Sequence, residues 1–368
     1  MNNIHVKAPG KLMLSGEWGI LEPHNSCITL PINKFVYVTI TSTEAQTIHV
    51  CAPDIGINSI NLYFDGTQIT SQTEQTPAQF NLTQKTIETV LLYLKEQNIP
   101  IQKFSIHINS QEMLFTCAKR KLGLGSSAAV TVALIKAILQ FHKQNTESQE
   151  AKEILFKLSY LAHYRIQENI YSGYDIATSV YQKPLYYKRF DTYWLMQEHA
   201  NPSNTISTLA HKIWPEFCAQ TFELPENFIL QACFVGYSAS TPELIKHMKK
   251  FKTQNPENHK NLCQNIQNIV TQLFMALKNK NNNLILDLIK KNTHALRELA
   301  HASVSNLETP EMALLIECAQ RYNAAAKLSG AGGGDCGIAI CFDEQTASNI
   351  KKCWEDNELY PIEISILK

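Results

Sequence analysis

Gly123, Gly125, Ser126 and Ser127 fall together in the run Lys121-Leu-Gly-Leu-Gly-Ser-Ser-Ala-Ala129. Gly330, Gly332, Gly333, Gly334 and Gly337 crowd a second window near the C-terminus. The chain has only 14 glycines, and windows 122–126 and 330–337 hold seven of them; even spacing would put roughly 0.5 there. Glycine is used where backbone reaches positive φ or approaches a ligand closely. The first cluster precedes an apolar stretch from Ala128 to Phe141 that reads as a buried helix. A helix start carries unsatisfied N–H donors and a partial positive charge, so this loop is built to attract phosphate. An alternative stays open here, with Ser126 or Ser127 as an ordinary N-cap. Commoner loops do not fit. A Walker loop needs Gly-Lys-Ser/Thr, the dinucleotide fingerprint needs a third glycine where Ala128 stands, and a nucleophile elbow needs one at Ala129.

The elements that must position these groups follow from periodicity. Residues 4–7 and 35–42 alternate as strands, with shorter strands at 47–51, 60–64 and 104–108. Helices are expected at 82–97, 128–141 and 150–168. The aromatic stretch 186–196 has strand character and leads out of the first domain. A strand at 229–235 precedes helices at 241–252, 257–278, 281–301 and 310–324, and late strands at 337–342 and 362–367. The pattern is α+β in two parts, 1–190 and 191–368, with the break inside 185–225.

Composition narrows the class. With 33 Lys+Arg against 33 Asp+Glu and 44% apolar residues, the 368-residue chain is globular and has no global field. A bulk nucleic-acid binder is disfavoured, and no aromatic stacking motif for RNA is present. Residues Met1–Lys7 lack a signal peptide's apolar core, and no run reaches the roughly 18 apolar residues of a membrane span. The ten cysteines are scattered, without a Cys-x-x-Cys pair, and read as reduced thiols of a cytoplasmic protein. Nothing sets the oligomeric state; monomer and homodimer both fit.

Two more segments complete a pattern. Near the N-terminus stands Lys7-Ala-Pro-Gly-Lys11-Leu-Met-Leu-Ser15-Gly-Glu17-Trp-Gly; near the C-terminus stands Lys327-Leu-Ser-Gly330-Ala-Gly-Gly-Gly-Asp335-Cys-Gly337. With the Gly-Leu-Gly-Ser-Ser-Ala-Ala loop between them, the chain resembles the galactokinase, homoserine kinase, mevalonate kinase and phosphomevalonate kinase superfamily. Within it, Gln167-Glu-Asn-Ile-Tyr-Ser172-Gly-Tyr-Asp175-Ile-Ala and Val235-Gly-Tyr-Ser-Ala-Ser240-Thr-Pro look like the phosphomevalonate kinase branch. The resemblance implies a ribosomal-protein-like α+β N-terminal domain, a ferredoxin-like C-terminal domain and ligands in the cleft between them. It also implies phosphoryl transfer from ATP, with Mg²⁺, to 5-phosphomevalonate. Mevalonate kinase, with a neutral acceptor hydroxyl, and a non-catalytic binding protein on the same fold are the rivals.

Carried over residue by residue, the resemblance makes Lys11 and Asp175 the catalytic pair, with Lys11 beside Asp175. Leu122, Gly123, Leu124, Gly125, Ser126, Ser127 and Ala128 become the ATP phosphate loop, with Ser127 on Mg²⁺. Ser15, Ser172, Ser240, Gly330, Ala331, Gly332 and Gly333 become acceptor contacts. Glu168 is either a metal ligand or a solvated helix-end carboxylate. Lys246, Lys249 and Lys250 share one helical face, as a basic wall or as solvated lysines. Lys188, Arg189, Lys119 and Arg120 carry the same two readings. The adenine site is expected among residues 50–115.

Overall fold

Strand alternation near the N-terminus builds the larger sheet. The computed structural model describes residues 3–71, 80–115, 120–167, 171–238 and 241–368. In chain order the first part runs β1 (Asn3–Ser15), β2 (Ser26–Ser42), β3 (Ile48–Ala52), β4 (Ile57–Phe64), β5 (Ile69–Ser71), α1 (Asn81–Glu96) and β6 (Phe104–Asn109). A short pair, β7 (Leu114–Phe115) and β8 (Arg120–Lys121), leads into α2 (Ser126–Phe141). Then come α3 (Gln149–Gln167), α4 (Tyr174–Tyr181), β9 (Leu185–Lys188), α5 (Thr192–Ala200), α6 (Ile206–His211) and β10 (Cys218–Thr221). The second part runs β11 (Ile229–Phe234), α7 (Thr241–Gln254), α8 (Pro256–Lys278), α9 (Asn282–Ser303) and α10 (Pro310–Gln320). It closes with β12 (Ala325–Leu328), β13 (Cys336–Cys341), α11 (Glu344–Asp356) and β14 (Tyr360–Ile362).

The larger sheet has the order β10-β9-β2-β6-β3-β4-β5, with β1 paired to β2 along nearly its whole length. Helices α2 and α4 pack on β1 and β2, α1 reaches β5, and α3 packs on α1, α2 and α4; α2 is buried almost throughout because its apolar residues run round the helix. The smaller sheet has the antiparallel order β12-β13-β11-β14, the strand order of a ferredoxin-like domain. The α+β class is therefore borne out.

Several boundaries differ from the periodicity. Residues 186–196 are not one strand. Asp191 accepts from the N–H groups of Tyr193 and Trp194 and starts helix α5 after β9 ends. Strand β10 then returns to pair with β9, so residues 218–221 lie in the first sheet, beyond the division expected after 190. Residues 363–367 run past β14 as a tail: Leu367 N–H donates to Pro31 O at 3.0 Å, and Ile366 bridges Ile32. Cys318 on α10 and Cys353 on α11 form a disulfide, which corrects the reading of every cysteine as a free thiol. The two buried faces meet with a Cα–Cα distance of 5.8 Å, a placement that sequence spacing does not reveal. Among the described residues, no helix is long and apolar enough to cross a membrane.

Two buried histidines make the fold acid-sensitive. His142 Nδ1 lies 2.8 Å from the Ile138 carbonyl, and Nε2 accepts from Gln102 N–H at 3.1 Å. That pattern assigns a neutral ring with the proton on Nδ1. Burial pulls His142 below its ordinary 6.5. Burial lowers His163 too, against an opposing pull from Asp175. With the folded value below the unfolded one, the unfolded chain binds more protons in the window beneath 6.5. Stability is therefore complete above that pH and is lost as pH falls through the window. Melting temperature measured from pH 7.5 down to about pH 5 should fall, and His142→Gln should flatten part of the slope; a flat parental profile would contradict this.

Candidate active site

Lys11 lies in the C-terminal half of β1 and is only 5% exposed. Its backbone N–H donates to Leu124 O at 2.9 Å, which ties the strand to the glycine loop. Its Nζ donates to Gly123 O at 3.2 Å and stands 5.6 Å over the Tyr174 ring. No carboxylate among the described residues forms an ion pair with it. A nearly buried ammonium that donates to one carbonyl has spare donors for an anion.

The loop beside it ends at Gly125, the N-cap of α2, which is left-handed at φ 81° and offers no side-chain cap. The N-cap reading of Ser126 and Ser127 is thereby answered: both lie inside the first helical turn, and Ser127 is exposed. The N–H groups of this turn have no intrahelical acceptor. Leu122 and Leu124 are buried and anchor the loop from below.

The second glycine cluster closes on the first from the other sheet. Gly123 has φ 75°, and a Cβ there would lie 2.5 Å from Asp335 Cβ; only glycine allows this approach. Cys336 Sγ contacts Leu122 O at 3.0 Å, Arg120 donates to Gly236 O at 2.9 Å, and Ser238 donates to Lys121 O at 3.0 Å. The position a Cβ would take at Gly330 is 4.0 Å from Lys11 Nζ. Gly123, Gly125 and Gly330 thus lie around Lys11, and Asp335 lies against Gly123.

Asp175 occupies the first turn of α4, after left-handed Gly173, where the helix dipole favours a carboxylate. Its Oδ2 accepts from Tyr171 Oη, and its Oδ1 accepts from Ile176 N–H at 2.9 Å. Lys11 and Asp175 form no ion pair with each other: Lys11 is bonded to Gly123 O, and Asp175 to Tyr171 and Ile176. Both charges bear on buried Cys27. Burial pushes this thiol well up, Glu17 and Asp175 push it further, and Lys11 opposes them. Tyr174 is likewise raised by burial first, then by Asp175, Cys27, Glu17 and Asp335.

Other expected residues are placed differently. Ser15 is fully buried and donates to Asn292 Oδ1 on α9. Ser172 is buried, and its carbonyl accepts from Tyr187 Oη at 2.7 Å. Glu168, Ser240 and Lys119 lie outside the described residues. Lys246, Lys249 and Lys250 are exposed on α7. Lys188 pairs with Glu216 at 3.2 Å. Arg189 is buried and donates to Leu21 O at 2.8 Å. Sequence reading missed Asp335, which stands inside the glycine run, and Tyr171 and Tyr174, which flank the Ser-Gly turn before Asp175. It also missed the buried pair of Glu17 with Lys327. Two ionisable residues within otherwise apolar motifs were the available signal for that pair.

Residues 81–183 match the model described as GHMP kinases N terminal domain, and residues 273–360 match GHMP kinases C terminal. Together the two matches cover just over half of the chain and contain both glycine clusters and Asp175. The chain belongs to the GHMP kinase family. The resemblance drawn from the three motifs is borne out. This GHMP kinase is 27% identical over 369 residues to the phosphomevalonate kinase of Streptomyces sp. (strain CL190), covering 97% of this chain and 96% of the relative. A solved protein from Listeria innocua superposes with a TM-score of 0.90 at 27% identity, covering 100% of this chain and 98% of that one. Streptococcus pneumoniae phosphomevalonate kinase, solved in complex with phosphomevalonate and AMPPNP, shares the fold with a TM-score of 0.83 at 24% identity, covering 99% of each chain.

Proposed function

We propose that this GHMP kinase transfers the γ-phosphoryl group of ATP to the phosphate of 5-phosphomevalonate, giving ADP and 5-diphosphomevalonate. The observation that carries the chemistry is buried Lys11, free of any carboxylate ion pair among the described residues and surrounded by both glycine loops. Phosphoryl transfer needs positioning and charge neutralisation more than covalent chemistry. Donors of 122–128 suit the ATP phosphates, and Lys11 suits the transferring group. Asp175 positions the acceptor oxygen; an acceptor phosphate is already largely ionised at neutral pH, so little proton abstraction is required. The choice of acceptor rests on the end-to-end similarity to the Streptomyces enzyme.

Mg²⁺ is implied by the family, and the residues present fit it. The Ser127 hydroxyl is an exposed hard oxygen at the start of α2 and has no capping role. Among the described residues, no three His, Cys, Asp or Glu side chains stand together as a metal site. That suits an ion held mostly by nucleotide phosphates, with Ser127 and proposed Glu168 supplying protein oxygens. The ion would neutralise phosphate charge. Ser127→Ala should raise the Mg²⁺ and ATP concentrations needed for half-maximal rate and leave the melting temperature unchanged. Unaltered Mg²⁺ and ATP dependence would take Ser127 out of the metal shell.

The deciding experiment is a coupled ADP-release assay with phosphomevalonate and mevalonate in parallel. Faster turnover of phosphomevalonate is expected. Faster turnover of mevalonate would overturn the acceptor, and turnover of neither would favour a binding protein on this fold.

A further inference from the structure

Trp18 stands at φ 61°, ψ −44°, and Gly19 N–H donates back to Glu17 O at 2.6 Å. This is a γ-turn with a positive central φ, a rare and strained form, and a bulky side chain is poorly tolerated there. Strain of this kind persists only where the surroundings over-determine it. Here Glu17 is paired with buried Lys327. Asn25 Nδ2 donates to Gly19 O at 2.9 Å, and Arg189 holds the Leu21 carbonyl. Ile20 N–H donates to Gly16 O at 3.0 Å.

The strained turn aims the indole. Trp18 is 8% exposed, and its Nε1–H crosses to the Ala331 carbonyl at 3.1 Å. Ala331 lies between Gly330 at φ 100° and Gly332 at φ 78°, so its neighbouring peptides are free to turn unless something holds them. A planar trans peptide points its C=O and N–H in opposite directions. Holding the Ala331 carbonyl on Trp18 therefore turns the Gly332 N–H away from Trp18. Among the described residues, the N–H groups of Gly330, Ala331 and Gly332 donate to no protein acceptor, whereas Gly333 N–H is taken by Leu307 O at 2.7 Å. Consecutive backbone donors of this kind make an anion-binding concavity.

We propose that Trp18 is a positioning residue for the anionic acceptor: its indole N–H fixes the Ala331–Gly332 peptide so that the glycine loop presents its backbone donors in one orientation. The proposal rests on the reading that this loop meets the acceptor. Trp18→Phe removes the donor and some bulk. Replacement of Trp18 by 3-benzothienylalanine keeps the bicycle and removes only the N–H. Both should raise KM for the acceptor between about three-fold and about ten-fold, the worth of one hydrogen bond. KM for ATP, kcat and melting temperature should move less than two-fold or by only a degree or so. The acceptor used is whichever of phosphomevalonate and mevalonate the parental enzyme turns over faster, so a wrong acceptor is seen in the parent and a wrong role for Trp18 in the variants. A benzothienyl variant with parental KM would overturn the proposal and leave Trp18 as packing. An equal rise in KM for ATP, or a fall in kcat as large as the rise in KM, would overturn it as well. If Trp18→Phe does not fold, the benzothienyl variant decides alone.

Discussion

Lys11→Met should lower kcat by about two to three orders of magnitude, with a much smaller change in KM. Methionine keeps most of the side chain's length and apolar contacts, including the packing of the stem where a Cβ at Gly125 would lie 3.1 Å from Lys11 Cγ. What disappears is the ammonium. In the structure that ammonium is nearly buried, donates to Gly123 O and stands over the Tyr174 ring, and it forms no carboxylate ion pair among the described residues. An electrostatic contact in a water-poor site at the reacting group is worth roughly 3–4 kcal/mol. Asp175→Asn keeps shape and removes charge; with an acceptor already ionised, its loss should be milder. The two changes should not add, because both charges are proposed to act at the same transferring phosphoryl group. A double-mutant cycle on kcat, with circular dichroism to confirm folding, measures this. Near-parental kcat in Lys11→Met would remove Lys11 from the catalytic machinery, and full additivity would remove the coupling.

Lys327→Met should destabilise the fold by about 3–5 kcal/mol, the usual result of removing one partner from a buried ion pair. Both side chains of the Glu17–Lys327 pair are completely buried, and among the described residues Glu17 Oε2 has no hydrogen-bond partner. Burial pulls the lysine below its ordinary 10.5, with Glu17 opposing. Removing Lys327 strands the Glu17 carboxylate in an apolar interior, between the strained turn and β12. Urea unfolding should show a lower midpoint with an unchanged slope. The double variant Glu17→Gln/Lys327→Met should recover much of the loss, since it buries no charge. A single variant within about 1 kcal/mol of the parent would mean that the pair is not charged in the fold.

Helices and the larger strands were legible because their signals are local. Side chains repeat every 3.6 residues along α1, α8 and α9 and every two along β2, and each face is written into its own segment. Caps set two helices that side-chain periodicity does not show. Asp343 caps α11, which lies in the stretch that periodicity leaves unassigned between the strands expected at 337–342 and 362–367. Asp191 turned an aromatic stretch from strand into helix.

The site divides in the same way. The two glycine clusters, the loop ahead of α2, the lysine in β1 and the aspartate after a Ser-Gly turn are readable locally, because each is a short motif whose residue types state their backbone and charge requirements. What these motifs touch is settled by the packing of the whole chain. It sealed Ser15 against Asn292, set Asp335 on Gly123, buried Glu17 with Lys327 and joined Trp18 to Ala331. Trp18 and Ala331 are 313 residues apart in sequence. No local period encodes such a contact; it exists because both sheets and the helices between them pack to one arrangement, and the free energy that selects it is spread over the whole core.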